Sequence, residues 1–296
     1  MKRQTVAGAA SVTLLCATFG ISRAAYYATR RSEARREAPE DDRVARLPRA
    51  PRFVSAEVVL AAIRAVIERE PAWGVRKVWA TLRRDGLRVG RKRVWALMHA
   101  HGLVLNRDSE PGELLRGHVA VPEPNRRLAT DLTTTWTRRD GWVAIVPTID
   151  CGCRSLLGLT VTKDQHGPQV LASADEALEA AFGDPGDLPD GVELLTDHGA
   201  QFTGADCEAL LGRWRVTHRL SRVGRPTGNA VVERLIRTMK EEVVWLRDWE
   251  SADELRGALD AWRRRYNETR PHQALGWLTP AECRASRMRK PQLLAA

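Results

Sequence analysis

The stretch GRPTGNAVVERLIRTMKEEVV, residues 224–244, sets the reading of the whole chain. Val232, Leu235, Ile236, Met239 and Val243 recur at three- and four-residue steps, so at about 100° per residue they make one apolar stripe and predict a helix packed on a core. Glu233, Arg237 and Lys240 fall on one flank beside that stripe, because positions i, i+4 and i+7 stack on a helix face. The ordinary use of such a row is a solvated ion-pair ladder. The other use is a carboxylate, followed by two cations, presented to something outside the helix. Gly228 and Asn229 shape the helix start.

Two acids upstream favour the second use. Asp197 closes the strand-like run VELLTD (192–197), and Asp131 sits inside RLATDLTTTWT (127–137). An isolated aspartate at a strand end is usually a turn or cap former, so neither is informative alone. The elements around them form an ordered series. RLATDLTTTWT, GWVAIVPTID (141–150) and RSLLGLTVTK (154–163) are strands joined by short turns, which suits an antiparallel meander. PQVLASADEALEAAF (168–182) reads as a helix, VELLTD as a strand, GADCEALLGRW (204–214) as a helix and VTHRLS (216–221) as a strand. The fold class expected is therefore α/β, with three antiparallel strands followed by alternating helix and strand in a mixed sheet. A last amphipathic helix in 251–286 turns Leu255, Leu259, Trp262 and Tyr266 inward and an Arg263-Arg264-Arg265 patch outward, and Pro271 ends it. His272 reads as a packed or hydrogen-bonded residue.

The N-terminal half has a different character. The net charge of +10 is unevenly spread: residues 1–120 carry +11 and residues 121–296 carry −1. A polyanion is the simplest partner for such a half, with counterion release from DNA as the driving force, although surplus arginine also serves solubility. SAEVVLAAIRAVIERE (55–70) is a helix with Ser55 as N-cap and Val59, Ala62, Ile63, Val66 and Ile67 inward. A second helix buries Val75, Val78, Trp79 and Leu82 and breaks at Asp85-Gly86. A third buries Val94, Leu97, Met98 and His101. This is an all-α tri-helical helix-turn-helix pattern, and the third helix opens on Arg91-Lys92-Arg93, which either grip DNA or merely solvate the helix start.

The run VAGAASVTLLCATFGI (6–21) imitates the apolar part of a signal peptide but is too short to span a bilayer, which needs about 20 apolar residues. It parses better as a helix to Phe19, a turn at Gly20-Ile21-Ser22 and a second helix from Arg23 to Tyr27. Nothing downstream reads as transmembrane. Five cysteines, an odd number with one C-x-C at Cys151 and Cys153, fit reduced thiols in a cytosol; half a zinc site there lacks a second Cys/His pair. The division expected is a helix-turn-helix remnant (1–29), a charged linker (30–54), a helix-turn-helix domain (55–105), a second linker (106–125), a catalytic domain with C-terminal helices (126–286) and a tail (287–296).

LLTDHGAQF around Asp197, GNAVVER around Glu233, the 35 residues between the two acids and the closing phrase YNETRPHQALGWLTPAE together resemble the Asp-Asp-Glu transposases and integrases. More narrowly, they resemble the second-frame product of the insertion-sequence-three family of bacterial transposons. The likeness runs over roughly residues 55–285, and PAWGVRKVWATLRRDGLRVGRKRVWALMHAHGL is similar to the helix-turn-helix segment that precedes the catalytic domain there. The resemblance implies a ribonuclease H-like core in which Asp131, Asp197 and Glu233 are catalytic and hold two Mg²⁺ or Mn²⁺ ions. Phosphodiester chemistry fits this donor set, since hard divalent ions prefer carboxylate oxygens and need no His/Cys cage. It further implies nicking and strand transfer on double-stranded DNA, at transposon ends and target, with Arg237, Lys240, Asn229, Arg91, Lys92 and Arg93 as DNA contacts. A homo-oligomer on DNA, an upstream-frame protein as fusion or partner, and a cytoplasmic, nucleoid-associated site of action follow in the same way. The sequence departs from the common pattern at Gly228, where many relatives carry Asp. Two other readings remain: a catalytically silent DNA-binding remnant or repressor, and a nuclease for RNA–DNA hybrids.

Overall fold

The computed structural model describes residues 54–105, 121–221 and 229–288, with isolated positions between 12 and 27. Residues 1–52 and 53–296 form two separate compact units. In the first, the Ile21 N–H bonds the Cys16 carbonyl around Gly20 at φ +64°, and the Ser22 hydroxyl caps the N–H of Ala25 at the head of a helical stretch through Tyr27. That is a helix stop at a left-handed glycine followed by a fresh N-cap. The charged linker up to residue 53, most of the second linker and the end of the tail lie outside the described residues.

The second unit opens with α1 (Ala56–Arg69), α2 (Val75–Arg84) and α3 (Arg91–Ala100). Ser55 caps α1 through the Val58 N–H at 3.3 Å. Val59, Ile63 and Val66 of α1 pack with Val78 and Leu82 of α2 and Val94 and Met98 of α3, and Trp73 closes the cluster from the α1–α2 turn. His101, expected inside, is exposed. The helix already ends at Ala100, so its apolar phase no longer constrains the next residue.

A six-stranded sheet follows, formed by β1 (Arg127–Thr130), β2 (Thr133–Thr137), β3 (Gly141–Asp150), β4 (Leu156–Thr162), β5 (Glu193–Thr196) and β6 (Thr217–Leu220). β1 and β2 pair with one edge of β3 in continuous register, Thr130 opposite Thr148 and Thr133 opposite Ile145. They are one strand interrupted at Asp131-Leu132. The residue facing Asp131 is Pro147, which has no N–H to give a ladder. β3 and β4 are antiparallel, whereas β1, β5 and β6 run parallel.

Alternation along the strands separates two cores. Leu128, Val146, Leu157 and Leu194 pack on α4 (Gly167–Phe182) and α6 (Ala205–Trp214). Ala129, Ile145, Leu156 and Leu195 pack on α7 (Ala230–Glu242) and α8 (Ala252–Glu268). A single turn, α5 (Ala200–Thr203), precedes α6, and α9 (Pro280–Met288) closes the unit. The sheet is covered on both faces, as the α/β expectation required.

The arginine patch of α8 is not simply outward. Arg263 bonds the Leu156 and Leu157 carbonyls and Glu176, and Asn267 bonds both backbone groups of Leu156. These side chains occupy the outer edge of β4, which would otherwise offer unpaired backbone to another strand. Arg265 pairs with Glu70, the residue that follows α1. Residues 121–125, expected as linker, are packed: the Asn125 N–H bonds buried Asp150 at 2.7 Å and Arg284 bonds the Asn125 amide oxygen.

The tri-helical part docks on the segment after α8. Arg84 of α2 pairs twice with Glu282, at 2.8 and 2.6 Å, and Trp79 meets Trp277 edge-on. Deeper in, buried Glu242 at the end of α7 accepts from Lys77 at 2.6 Å, from Arg270 and from the Trp262 indole. Burial alone would raise the Glu242 carboxyl, but Arg270 and Lys77 beside it carry it down to about 2. Beside Arg270, His272 is pushed down to about 3 by burial and by the guanidinium, so it is a neutral packed histidine as expected. A depressed carboxyl stabilises the fold above its unfolded value near 4.5 and loses that contribution as pH falls towards 2. Glu242→Gln therefore costs about 3–5 kcal/mol in urea unfolding at neutral pH, because buried Arg270 and half-buried Lys77 lose their counter-charge. The deficit relative to the parent shrinks as the measurement moves from pH 5 to pH 2.

Candidate active site

The site grows from the break between β1 and β2. Ala129 and Leu195 are paired across β1 and β5 and both face α7. Two residues further along each strand come Asp131 and Asp197, so by the two-residue period both stand on the α7 side, at the same end of neighbouring parallel strands. Strands lie about 4.8 Å apart, which brings the two aspartates next to each other. Glu233 is on α7, exposed, in the helix's first turn.

The start of α7 is tied directly to this end of the sheet. Asn229 is buried, and its amide N–H donates to the Thr130 carbonyl at 3.2 Å, one residue before Asp131. Its carbonyl accepts the first helical N–H, from Glu233. Asn229, expected among the DNA contacts, is thus an interior tie between Glu233's helix and Asp131's strand. The far side of Asp197 is also fixed: the His198 ring bonds the Ser221 carbonyl at 2.7 Å, and the Thr196 hydroxyl bonds His218. His198 therefore holds the ends of β5 and β6 together.

Each aspartate commits one oxygen to the backbone. Asp131 Oδ1 accepts from the Leu132 N–H at 2.8 Å and Asp197 Oδ1 from the Gly199 N–H at 3.0 Å. Among the described residues, the second oxygen of each and the whole Glu233 carboxylate accept no protein hydrogen bond and form no ion pair. The Asp131 carboxyl is pushed up to about 6, chiefly by burial and then by the charges of Asp197 and Glu233, with Lys240 pulling the other way. Burial raises Glu233 as well. Three acids and one lysine thus share a common field.

The acids are not gathered into a ligand cage. Among the described residues, no group of three His, Cys, Asp or Glu side chains is arranged to hold a metal ion as it stands. The donor set still suits a hard divalent cation: it is carboxylate only, each aspartate has an oxygen to spare, and mutual repulsion at Asp131 is relieved by positive charge.

Of the expected DNA contacts, Lys240 is near enough to influence Asp131 and lies over the Trp245 ring at 5.9 Å. Arg237 is exposed and paired with Glu241. Arg91 and Lys92 are exposed and Arg93 half-buried at the head of α3, with no ion pair among the described residues. Among the described residues the cysteines are buried free thiols, and burial pushes Cys151 up to about 12 and Cys153 up to about 11. Sequence reasoning missed the Asn229 tie and the Glu242 charge centre. Pro147 was legible as a proline inside a strand, a mark of a broken ladder.

A helix-turn-helix-like domain ahead of an integrase core defines the class. A family model described as "HTH-like domain" matches residues 55–108, and two described as "Integrase core domain" match residues 121–226 and 214–280. Among curated proteins, the chain is 29% identical over 238 residues to "Transposase InsD for insertion element IS2A/D/F/H/I/K" of Escherichia coli, covering 76% of this chain and 77% of that one. It is equally similar to "Transposase InsD for insertion element IS2-9" of Escherichia coli (strain K12), with 76% of each covered. Among solved structures, it is similar to the simian T-cell lymphotropic virus intasome in complex with PP2A regulatory subunit B56 gamma: TM-score 0.45, 16% identity, 78% of this chain and 76% of that one. The HTLV-2 integrase catalytic core domain in complex with magnesium (trimeric form) aligns with TM-score 0.40 and 13% identity, over 55% of this chain and 97% of that one. The chain thus carries an HTH-like domain followed by an integrase core domain and is similar to transposases of bacterial insertion elements. Among the described residues no helix is long and apolar enough to cross a membrane.

A carboxyl raised by folding is a cost that accrues as pH rises. Asp131 is neutral in both states below about 3.8, and stability is lost from there up through about 6. Asp131→Asn should therefore melt higher than the parent at pH 7, by roughly 2 kcal/mol. Melting curves from pH 4 to pH 8 check this: the gain should be small at pH 4 and level off above pH 6. A gain independent of pH would count against burial and crowding as its source.

Proposed function

We propose that this chain nicks DNA at the ends of its own mobile element and joins the freed 3′-hydroxyl to a target phosphodiester, with Asp131, Asp197 and Glu233 as the catalytic residues. The observation that carries this reading is the pair of aspartates at one end of neighbouring parallel strands, with the charge of Glu233 felt at Asp131. The integrase core domain and the likeness to insertion-element transposases support the reaction class. The three carboxylates would hold divalent metal, two ions in the fuller form of the reading. When bound, Mg²⁺ or Mn²⁺ supplies charge neutralisation at the attacking and leaving oxygens.

The side chains of this chain have their own tasks. The committed oxygens of Asp131 and Asp197 fix the carboxylate planes, so the remaining oxygens present a constant geometry. The Asn229 tie keeps Glu233 in reach of that pair while α7 stays packed on the sheet. Lys240 sits where a phosphate beside the acids is held, and Arg237 extends the cationic row outward. Arg91, Lys92 and Arg93 at the head of α3 grip the duplex further from the chemistry. Residues 55–105 are thus the DNA grip and 126–286 the chemical unit.

In the nick, a water oxygen bonds to phosphorus, the bond to the 3′-oxygen breaks, and that oxygen leaves as the 3′-hydroxyl. In the joining step this hydroxyl bonds to the target phosphorus and gives its proton to water, while the bond to the target's own 3′-oxygen breaks and that oxygen takes a proton from water and leaves as a 3′-hydroxyl. A second copy of the chain on the paired DNA ends, and an upstream-frame protein as fusion or partner, complete the reading.

The test uses a labelled duplex of the element's terminal repeat, with Mg²⁺ or Mn²⁺. The parent should yield joined strands, and Glu233→Gln should lower joining about a thousandfold or more, equivalent to about 4 kcal/mol of transition-state stabilisation, with duplex affinity unchanged. Binding without cutting by the parent would make the chain a repressor. Degradation of an RNA–DNA hybrid instead would make it a nuclease. Joining by Glu233→Gln at the parental rate would remove Glu233 from the site.

A further inference from the structure

Between the tri-helical part and the core domain lies a cleft of about 720 Å³. Among the described residues, five cationic side chains line it, Arg76, Lys77, Arg154, Arg234 and Arg270, and no carboxylate does. Glu242, behind the wall, engages Lys77 and Arg270. Among the described residues, Arg76, Arg154 and Arg234 form no ion pair. Many arginines of the core domain, among them Arg127, Arg219, Arg256 and Arg263, are matched with acids, whereas the three around this apolar cleft are not. Trp95 of α3, about half exposed, and Trp277 give the cleft aromatic walls.

Two further features aim this cleft at DNA. Ala230, Arg234 and Thr238 line it from α7, one step around the helix from the row that carries Glu233, so one helix separates cleft from acids. Arg154 stands at φ +63° in the β3–β4 hairpin, where its N–H bonds the Asp150 carbonyl and the Asp150 N–H bonds the Ser155 carbonyl. Glycine takes that left-handed position without strain, and an arginine does not. The strain is retained where the side chain reaches the cleft.

We propose that this cleft holds an unpaired DNA strand next to the active site, with phosphates on Arg154, Arg234 and Arg76 and a splayed base against Trp95. Cations that follow a backbone and aromatic faces that accept any base are how proteins hold single strands without reading sequence. The cleft thereby keeps one strand of a frayed DNA end away from its partner strand. The inference rests on the function proposed above, since it takes the strand to come from the DNA being processed.

The test is binding, not cutting, on the full chain. One fluorescein-labelled duplex is blunt and another carries a three-nucleotide single-stranded tail with 2-aminopurine, of arbitrary sequence. The parent should prefer the tailed duplex and quench the 2-aminopurine. Arg154→Gly should keep or raise the melting temperature, lower affinity for the tailed duplex about tenfold, and make its salt slope shallower by about 0.7, one phosphate's worth. Trp95→Ala should lower tailed-duplex affinity about 5- to 150-fold and abolish quenching. Both should leave the blunt duplex unchanged. Equal loss on both duplexes, or no loss, overturns the proposal, as does a cleft that Trp95→Ala shows by sedimentation to be covered by a second copy. Tail preference without any strand joining by the parent would overturn the proposed function alone; strand joining without tail preference would overturn this inference alone.

Discussion

The buried carboxylate of Glu242 is the point on which the second unit is hung. It lies at the C-terminal end of α7, takes charge from Arg270 below and Lys77 above, and is sealed by the Trp262 indole. Without it, buried Arg270 and half-buried Lys77 would face each other with no counter-charge. One side chain thus fixes the end of α7 to α8, fixes the docking segment around Arg270 to the core, and fixes α2 to both. At its other end α7 is held by Asn229 to the Thr130 carbonyl. A helix pinned at both ends has little freedom in rotation, and Glu233 keeps a fixed setting relative to Asp131, whose carboxyl feels its charge.

Apolar burial and charge placement are divided cleanly along this helix. Its inner stripe of Val232, Leu235 and Met239 belongs to the core shared with α8 and the sheet. One flank carries Glu233 and Lys240 towards the site, and another carries Arg234 towards the cleft beside the tri-helical part. Acid groups sit together on one side, where burial first and mutual repulsion second raise the Asp131 carboxyl. Cations are left unmatched on the other. Both are departures from what stability alone would select, and they sit one helix apart.

The closing phrase of the chain has a structural use as well. Arg270 and His272 are packed at the Glu242 centre, and Trp277 and Glu282 receive Trp79 and Arg84 of α2. The edge of β4 is covered by Arg263 and Asn267 of α8 in the same spirit. Side chains that read as a basic outer face serve backbone groups instead.

The sequence by itself determined most of the local structure: the apolar periods of α1, α7 and α8, the Ser55 cap and the order of strands and helices follow from residue spacing. It also singled out Asp131, Asp197 and Glu233, because a family pattern and a 35-residue gap are properties of the chain. Register, proximity and pairing were decided only in three dimensions. That Asp131 faces Pro147, that it lies beside Asp197 on one face, that Asn229 is an interior tie and that Arg263 turns to a strand edge all depend on which distant backbone arrives next to which. Spacing along a chain fixes faces of single elements. Contacts between residues a hundred positions apart are fixed by how those faces pack, and the charge centre at Glu242 exists only once α2, α7 and α8 have met.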